Sequence, residues 1–165
     1  MAKLRLGMVG CGDISDRFFR MAQSIDDAEF VATCARRLSS AKRKGEEYGV
    51  AAHYDSYEGM MDAEGLDAVF VTTPHSVHAE VCLAAFERGL HVLNEKPMAT
   101  SLEDCRAMAD AADEADVTFM ALPSVQNGAI VTAQSLPRET YLGKIPGGQA
   151  CLNLPGPPRD NGDYD

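Results

Sequence analysis

The sequence is most restrictive in what it lacks. No apolar run approaches the ~18–20 residues that a membrane-spanning helix needs, so no bilayer span is expected. The opening Met1-Ala2-Lys3-Leu4-Arg5-Leu6 runs straight into strand-like sequence, without the apolar core and small-residue cleavage site of a secretory signal. Basic residues are scarce: 15 Lys and Arg stand against 25 Asp and Glu, for a net charge of -10. Such a surface repels phosphate backbones, and no nucleic-acid partner is expected. Tryptophan is absent. No Cys-x-x-Cys occurs among Cys11, Cys34, Cys82, Cys105 and Cys151, which excludes a zinc ribbon or a dithiol redox motif. An odd number of scattered thiols fits a reduced, cytoplasmic protein.

What is present is an alternation. Short apolar runs at Leu4–Val9, Phe30–Ala35, Ala51–Tyr54, Leu66–Thr72, His91–Asn94 and Val117–Ala121 read as strands. Between them lie longer amphipathic stretches, predicted helices at about 14–23, from Ser39 or Ser40 to Gly49, 57–61, 77–88 and from Ser101 to about 115. Ala68-Val69-Phe70-Val71-Thr72 is apolar enough to be buried on both faces, the habit of a parallel-sheet strand. Ser101-Leu102-Glu103-Asp104 resembles a capping box. After Pro123 the pattern weakens: six of the eight prolines lie in 123–165, and only 149–154 reads as a strand.

The first chemistry-bearing motif follows the first strand. Gly10-Cys11-Gly12-Asp13-Ile14-Ser15 is Gly-x-Gly-x-x-Ser, one small-residue step from the dinucleotide fingerprint. In that fingerprint the first glycine permits the tight turn, and the second lets the backbone approach a pyrophosphate. The third small residue lets helix and strand pack closely. The helix start then offers amide N–H groups and partial positive charge to the phosphates. Placed between a strand and a helix, at the head of a βα series, the motif predicts an α/β Rossmann fold, a doubly wound parallel sheet binding a dinucleotide. The contributing residues are Gly10, Cys11, Gly12, Asp13 and Ile14.

The second strand bears on which dinucleotide. NAD binders usually carry a carboxylate at its end, for the ribose 2′-hydroxyl. Here it ends Cys34-Ala35-Arg36-Arg37. Arg36 or Arg37 would meet a 2′-phosphate through charge-assisted hydrogen bonds of about 1.5–3 kcal/mol each, so NADP is expected ahead of NAD. Lys42, Arg43 and Lys44 extend this basic cluster, either as part of the site or as a solvated helix face.

Two further motifs follow the fourth and fifth strands: Thr72-Thr73-Pro74-His75-Ser76-Val77-His78 and Asn94-Glu95-Lys96-Pro97. Together with the glycine turn they resemble the glucose–fructose oxidoreductase/inositol dehydrogenase (Gfo/Idh/MocA) family over about residues 3–122. The Ala35-Arg36-Arg37-Leu38-Ser39 stretch is similar to members that use NADP, such as dihydrodiol and sugar dehydrogenases. The resemblance implies that Lys96 is catalytic, assisting proton transfer at a substrate hydroxyl beside the nicotinamide. It also implies a cis bond before Pro97, with Glu95 orienting the lysine or the nicotinamide side. The loop Thr73, Pro74, His75, His78 would pack on the nicotinamide ribose. The implied substrate is a sugar, polyol or diol, and the implied assembly a homo-oligomer, dimer or tetramer. His75 and His78 have a spacing that suits a metal, but no third ligand stands near them in sequence; loop packing or capping is expected and no metal. His53 and His91 read as ordinary strand residues.

Family members run well past this length. The resemblance therefore implies that residues 1–122 are the NAD(P)-binding domain. Residues 123–165 would be a linker and the truncated start of a second, α+β domain for substrate and oligomerisation. No histidine follows His91, so the family's second catalytic residue has no counterpart, and cofactor binding without efficient turnover is expected. A non-catalytic dinucleotide sensor on the same fold is the alternative, and the presence of Lys96 argues against it. A short-chain dehydrogenase is excluded, because no Tyr has a Lys four residues on.

Overall fold

The computed structural model describes residues 3–122. Six strands, β1 (Leu4–Val9), β2 (Ala28–Cys34), β3 (Ala52–Tyr54), β4 (Ala68–Val71), β5 (His91–Asn94) and β6 (Phe119–Ala121), form one sheet in the order β3-β2-β1-β4-β5-β6. Every pairing is parallel. The chain builds outward from β1 to β3, then returns to lay β4 on the other side of β1. The strand order reverses there, and in such sheets the crevice beyond the carboxyl ends at the reversal is where ligands bind. The helices are α1 (Ser15–Ala22), α2 (Leu38–Tyr48), α3 (Tyr57–Ala63), α4 (His78–Phe86) and α5 (Leu102–Glu114), with a 3-10 turn at His75–Val77.

Strand periodicity sorts the side chains into two cores. Val9, Val69, Val71 and Val92 pack with Met60, Val81, Phe86 and Met108 from α3, α4 and α5. Their neighbours in sequence, Met8, Phe70 and Leu93, turn to the opposite face, where Phe18 and Phe19 of α1 and Tyr48 of α2 meet them. Each fully buried side chain of this size contributes about 1.5–3 kcal/mol relative to exposure. β4 is less enclosed than its apolar run suggested. Val69 and Val71 are fully buried, but Ala68 and Phe70 are only partly so. On that face Phe70 is met edge-on by Phe18 of α1 and Phe30 of β2.

Local signals mark most boundaries. Ser101 Oγ accepts from the Asp104 amide at 3.0 Å, and Gly49 closes α2 with φ 74°. The start of α2 differs from expectation. Arg37, extended at φ -110° and ψ 121°, holds the cap position, and its side chain does not cap the helix. Ser39 and Ser40 already lie in the first turn, because only residues 35–37 connect β2 to the helix. The mid-helix Gly45 has a tertiary cause: a Cβ there would lie 2.2 Å from the ring of His53. His53 itself meets Thr33 Oγ1 at 3.0 Å, and His91 Nδ1 accepts the Thr118 amide at 2.9 Å. Both are strand residues with structural contacts. Among the described residues no helix is long and apolar enough to cross a membrane. The proline-rich stretch and the strand expected at 149–154 lie outside the described residues.

Candidate functional site

The turn after β1 is shaped by neighbouring backbone. Gly10 sits at φ 99°, and a Cβ on it would come within 2.6 Å of the carbonyl of Thr72 and 2.8 Å of the Thr73 nitrogen. Its amide donates to Cys34 O at 2.8 Å. Its own carbonyl accepts from the Thr72 hydroxyl at 2.7 Å. The turn is thus held between the ends of β2 and β4. Cys11 is buried and its thiol donates to Cys34 O at 3.4 Å; burial pushes its pKa up to about 11, so it stays a protonated, inward filler. The open side belongs to Gly12, where an added Cβ would meet nothing within 4 Å.

Behind Gly12, Ser15 is fully buried and its hydroxyl donates to Gly12 O at 2.6 Å. The smallness of the third motif position is therefore used for close packing of α1 against the sheet. The helical ladder opens with the amides of Ser15, Asp16 and Arg17 donating to residues 12–14. Residues 12–14 thus precede the ladder at the mouth of the crevice, with Asp13 and Ile14 exposed. Open space in front of a glycine backbone at a helix start is what a diphosphate requires.

Arg36 and Arg37 lie beyond β2 and are exposed. The rest of the basic cluster divides. Lys42 and Arg43 are exposed on α2, whereas Lys44 is 3% exposed. Its ammonium pairs with Asp16 of α1 and, at 3.2 Å, with Glu47, and stands 5.7 Å from the Tyr48 ring centre. Burial pulls the Lys44 pKa down, but hydrogen bonds to the two carboxylates and their charge together outweigh burial, so its pKa is raised. Lys44 is a tie between α2 and the first turn of α1, a role the run of charges did not reveal.

Beyond β4 and β5 the two loops are held by buried polar groups. His78 opens α4 at 0% exposure, with Nδ1 2.9 Å from Pro97 O and Nε2 3.0 Å from Thr73 O. Both ring nitrogens are engaged with backbone, and neither faces a metal position. The Lys96–Pro97 bond is cis. Glu95, 7% exposed, accepts the Lys96 amide at 2.9 Å. Its contact with the lysine is through the backbone amide. Asn94 is fully buried and its Nδ2 donates to Met98 O at 2.9 Å, bracing the bend from within. Lys96, Pro97, Pro74 and His75 remain exposed. Two buried oxygen atoms at this edge, Thr73 Oγ1 and Asn94 Oδ1, have no hydrogen-bond partner among the described residues.

All the sequence-nominated residues therefore gather along one edge of the sheet: the glycine turn after β1, the arginines after β2, and the two loops after β4 and β5. Thr72 and Asn94 stood in the motifs without a role of their own, and Lys44 stood in the basic cluster as site or solvated face. Burial at the strand ends is the signal that marks the first two. Among the described residues no group of three His, Cys, Asp or Glu side chains converges as a metal site would require.

Residues 4–122 match the family model described as an oxidoreductase family with an NAD-binding Rossmann fold. A D-xylose 1-dehydrogenase (NADP(+)) of Haloferax volcanii is 33% identical over 117 residues, 71% of this chain and 36% of that protein. A D-glucoside 3-dehydrogenase of Escherichia coli is 38% identical over 110 residues, 66% of this chain and 31% of that protein. The chain thus spans about a third of the length of these relatives. The WlbA dehydrogenase of Bordetella pertussis, solved with NADH and UDP-GlcNAcA, superposes with a TM-score of 0.69 at 33% identity. That match covers 73% of this chain and 37% of that one. KijD10, a 3-ketoreductase of Actinomadura kijaniata solved with NADP, gives 0.68 at 31%, covering 72% and 38%. On the family match, the sheet order and the four carboxyl-edge motifs, the chain belongs to the Gfo/Idh/MocA oxidoreductase family, with its NAD-binding Rossmann domain in residues 4–122.

Proposed function

We propose that the chain binds NADP(H) across the β1/β4 crevice, in an oxidoreductase acting on a sugar, polyol or diol hydroxyl. The observation that carries the reading is the open face of Gly12 at the start of α1, on the same sheet edge as the exposed Lys96 on its braced bend. Gly10, Cys11, Gly12, Asp13 and Ile14 form the turn that takes the diphosphate. Cys11 contributes its backbone, since its thiol is turned inward. Arg36 and Arg37 meet the 2′-phosphate. Thr73, Pro74, His75, His78, Glu95 and Pro97 frame the nicotinamide end. When bound, the nicotinamide supplies the two-electron hydride chemistry. Lys96 holds or accepts the proton at the substrate oxygen, and the Glu95 carboxylate fixes the backbone from which it extends.

Support for NADP over NAD is the pair of exposed arginines where NAD binders carry a carboxylate. Relatives named for NADP and solved neighbours with either NADH or NADP accord with the wider class. On the same reading, residues 123–165 open the substrate and oligomerisation part, since the family model ends at residue 122. The assembly is then a homo-oligomer. The free cysteines among the described residues accord with a reducing, cytoplasmic setting.

Fluorescence titration with NADPH and NADH tests the reading. NADPH is expected to bind about tenfold or more tightly than NADH, and Arg36→Ala to remove most of that difference. Binding of neither nucleotide would overturn the proposal; equal binding of both would overturn the NADP assignment.

A further inference from the structure

The ring of His78 lies between two backbone carbonyls that belong to different loops. Nδ1 is 2.9 Å from Pro97 O, on the bend after β5, and Nε2 is 3.0 Å from Thr73 O, on the loop after β4. Carbonyl oxygens only accept. A neutral imidazole has one N–H, so it can serve one carbonyl and must set a lone pair against the other. A doubly protonated ring has two N–H groups and serves both. The ring is fully buried, so water does not take up the mismatch.

We propose that His78 is a positioning residue that joins the two loops by donating from both ring nitrogens, and that the attachment of the Lys96 bend follows the second ring proton. Loss of that proton breaks one of the two bonds. The Pro97 carbonyl is one residue from Lys96, so releasing it frees the backbone that presents the lysine to the crevice. The ionisable groups on the elements around the ring are His75, whose ring centre is 5.6 Å away and edge-on, Glu95 and Lys96 on the bend, and Glu80 on α4. The joint between loops does not depend on a bound nucleotide. Its consequence for proton transfer at Lys96 rests on the proposed function.

The test is nuclear magnetic resonance on the nucleotide-free full chain, uniformly labelled with 15N, followed across the pH range in which it stays folded. Long-range 1H–15N spectra count the hydrogens on the His78 ring, while backbone amide shifts follow Val77, Lys96 and Met98. Two N–H groups on His78 are expected at the acid end. If the second is lost within the range, the amide shifts of Lys96 and Met98 move with the same midpoint; a ring that keeps both throughout equally supports the two-donor joint. His75→Ala should preserve the coupling and His78→Gln abolish it. If the variants do not fold, the wild-type spectra decide alone. A single N–H at every pH, or a proton lost with the bend amides unmoved, overturns the proposal. NADPH titration of the same sample reads the nucleotide site separately, so failure of one inference is distinguishable from failure of the other.

Discussion

The two halves of the crevice are built by different means. On the β1/β2 side the turn is shaped mainly by what is missing: Gly10 has no Cβ where the Thr72 backbone passes, and Gly12 has none where the crevice opens. On the β4/β5 side the loops are shaped by what is buried: His78 bonds to the backbone of both loops, and Asn94 and Glu95 each spend a polar group on the backbone of their own bend. The first device is steric, and at Gly10 it tolerates almost no added atom. The second is electrostatic and depends on each donor finding its acceptor, since an unpaired buried polar group costs about 1–3 kcal/mol. A difference in failure follows: the glycine side should break abruptly, and the polar side by degrees.

The largest effect is expected at Gly10. Gly10→Ala places a methyl 2.6 Å from the Thr72 carbonyl, at a positive φ that alanine resists. Backbone on the other side cannot swing away as a side chain would. A loss of about 3 kcal/mol or more is expected in urea unfolding, with nucleotide binding lost as well. A small loss would show that the turn is softer than its contacts indicate.

Next is Asn94→Ala, which removes the donor to Met98 O and leaves that carbonyl to find another partner. About 1–3 kcal/mol is expected by the same measurement. Lys44→Met should follow at about 1–2 kcal/mol. Its partners Asp16 and Glu47 are 25% and 47% exposed at their side chains and recover solvation, so the full penalty of a broken buried pair does not apply.

Lys96→Ala sharpens the contrast from the other direction. The side chain is exposed, and stability should change by no more than about 0.5 kcal/mol. Nucleotide binding should persist, while turnover in a protein with a complete substrate site should fall. A large stability loss would mean that Lys96 serves the fold.

The last expected effect, absent at neutral pH, is a pH dependence. Burial raises Cys11 from 9.0 to about 11, and Cys34 and Cys82 to about 12. Unfolded thiols ionise first, so the contribution of these groups is whole below pH 9 and is lost as pH rises toward 11–12. Unfolding midpoints should drop across that window. At pH 8, thiol reagents should reach the half-buried Cys105 before the other three described cysteines.

Much of the edge was legible from residue order. The glycine spacing, the Arg36-Arg37 dipeptide, the Pro74 break and the Glu-Lys-Pro tripeptide all sit where strands end, and strand ends show as apolar runs meeting polar or kinked sequence. Boundaries were less legible. Ser39 and Ser40 looked like caps, yet α2 starts at Leu38 because the connection from β2 is short. Lys44 looked like part of a basic cluster, at the site or on a solvated face. Only the approach of α1 gives it Asp16, and nothing within α2 marks that partner.

The sequence by itself determined the sheet-forming alternation, the conformations that glycine alone permits, and the chemical kinds of side chain delivered to the carboxyl edge. These are local properties, set by φ, by periodicity and by functional-group identity within a few residues. Only tertiary structure decided which backbone lies against Gly10, that Lys44 is buried and paired, and that His78 spans Thr73 and Pro97. Each of those is a meeting of segments 19 or more residues apart, or, for His78 and Thr73, a bond whose meaning depends on such a meeting. Burial and hydrogen-bond complementarity appear only once the strands have aligned.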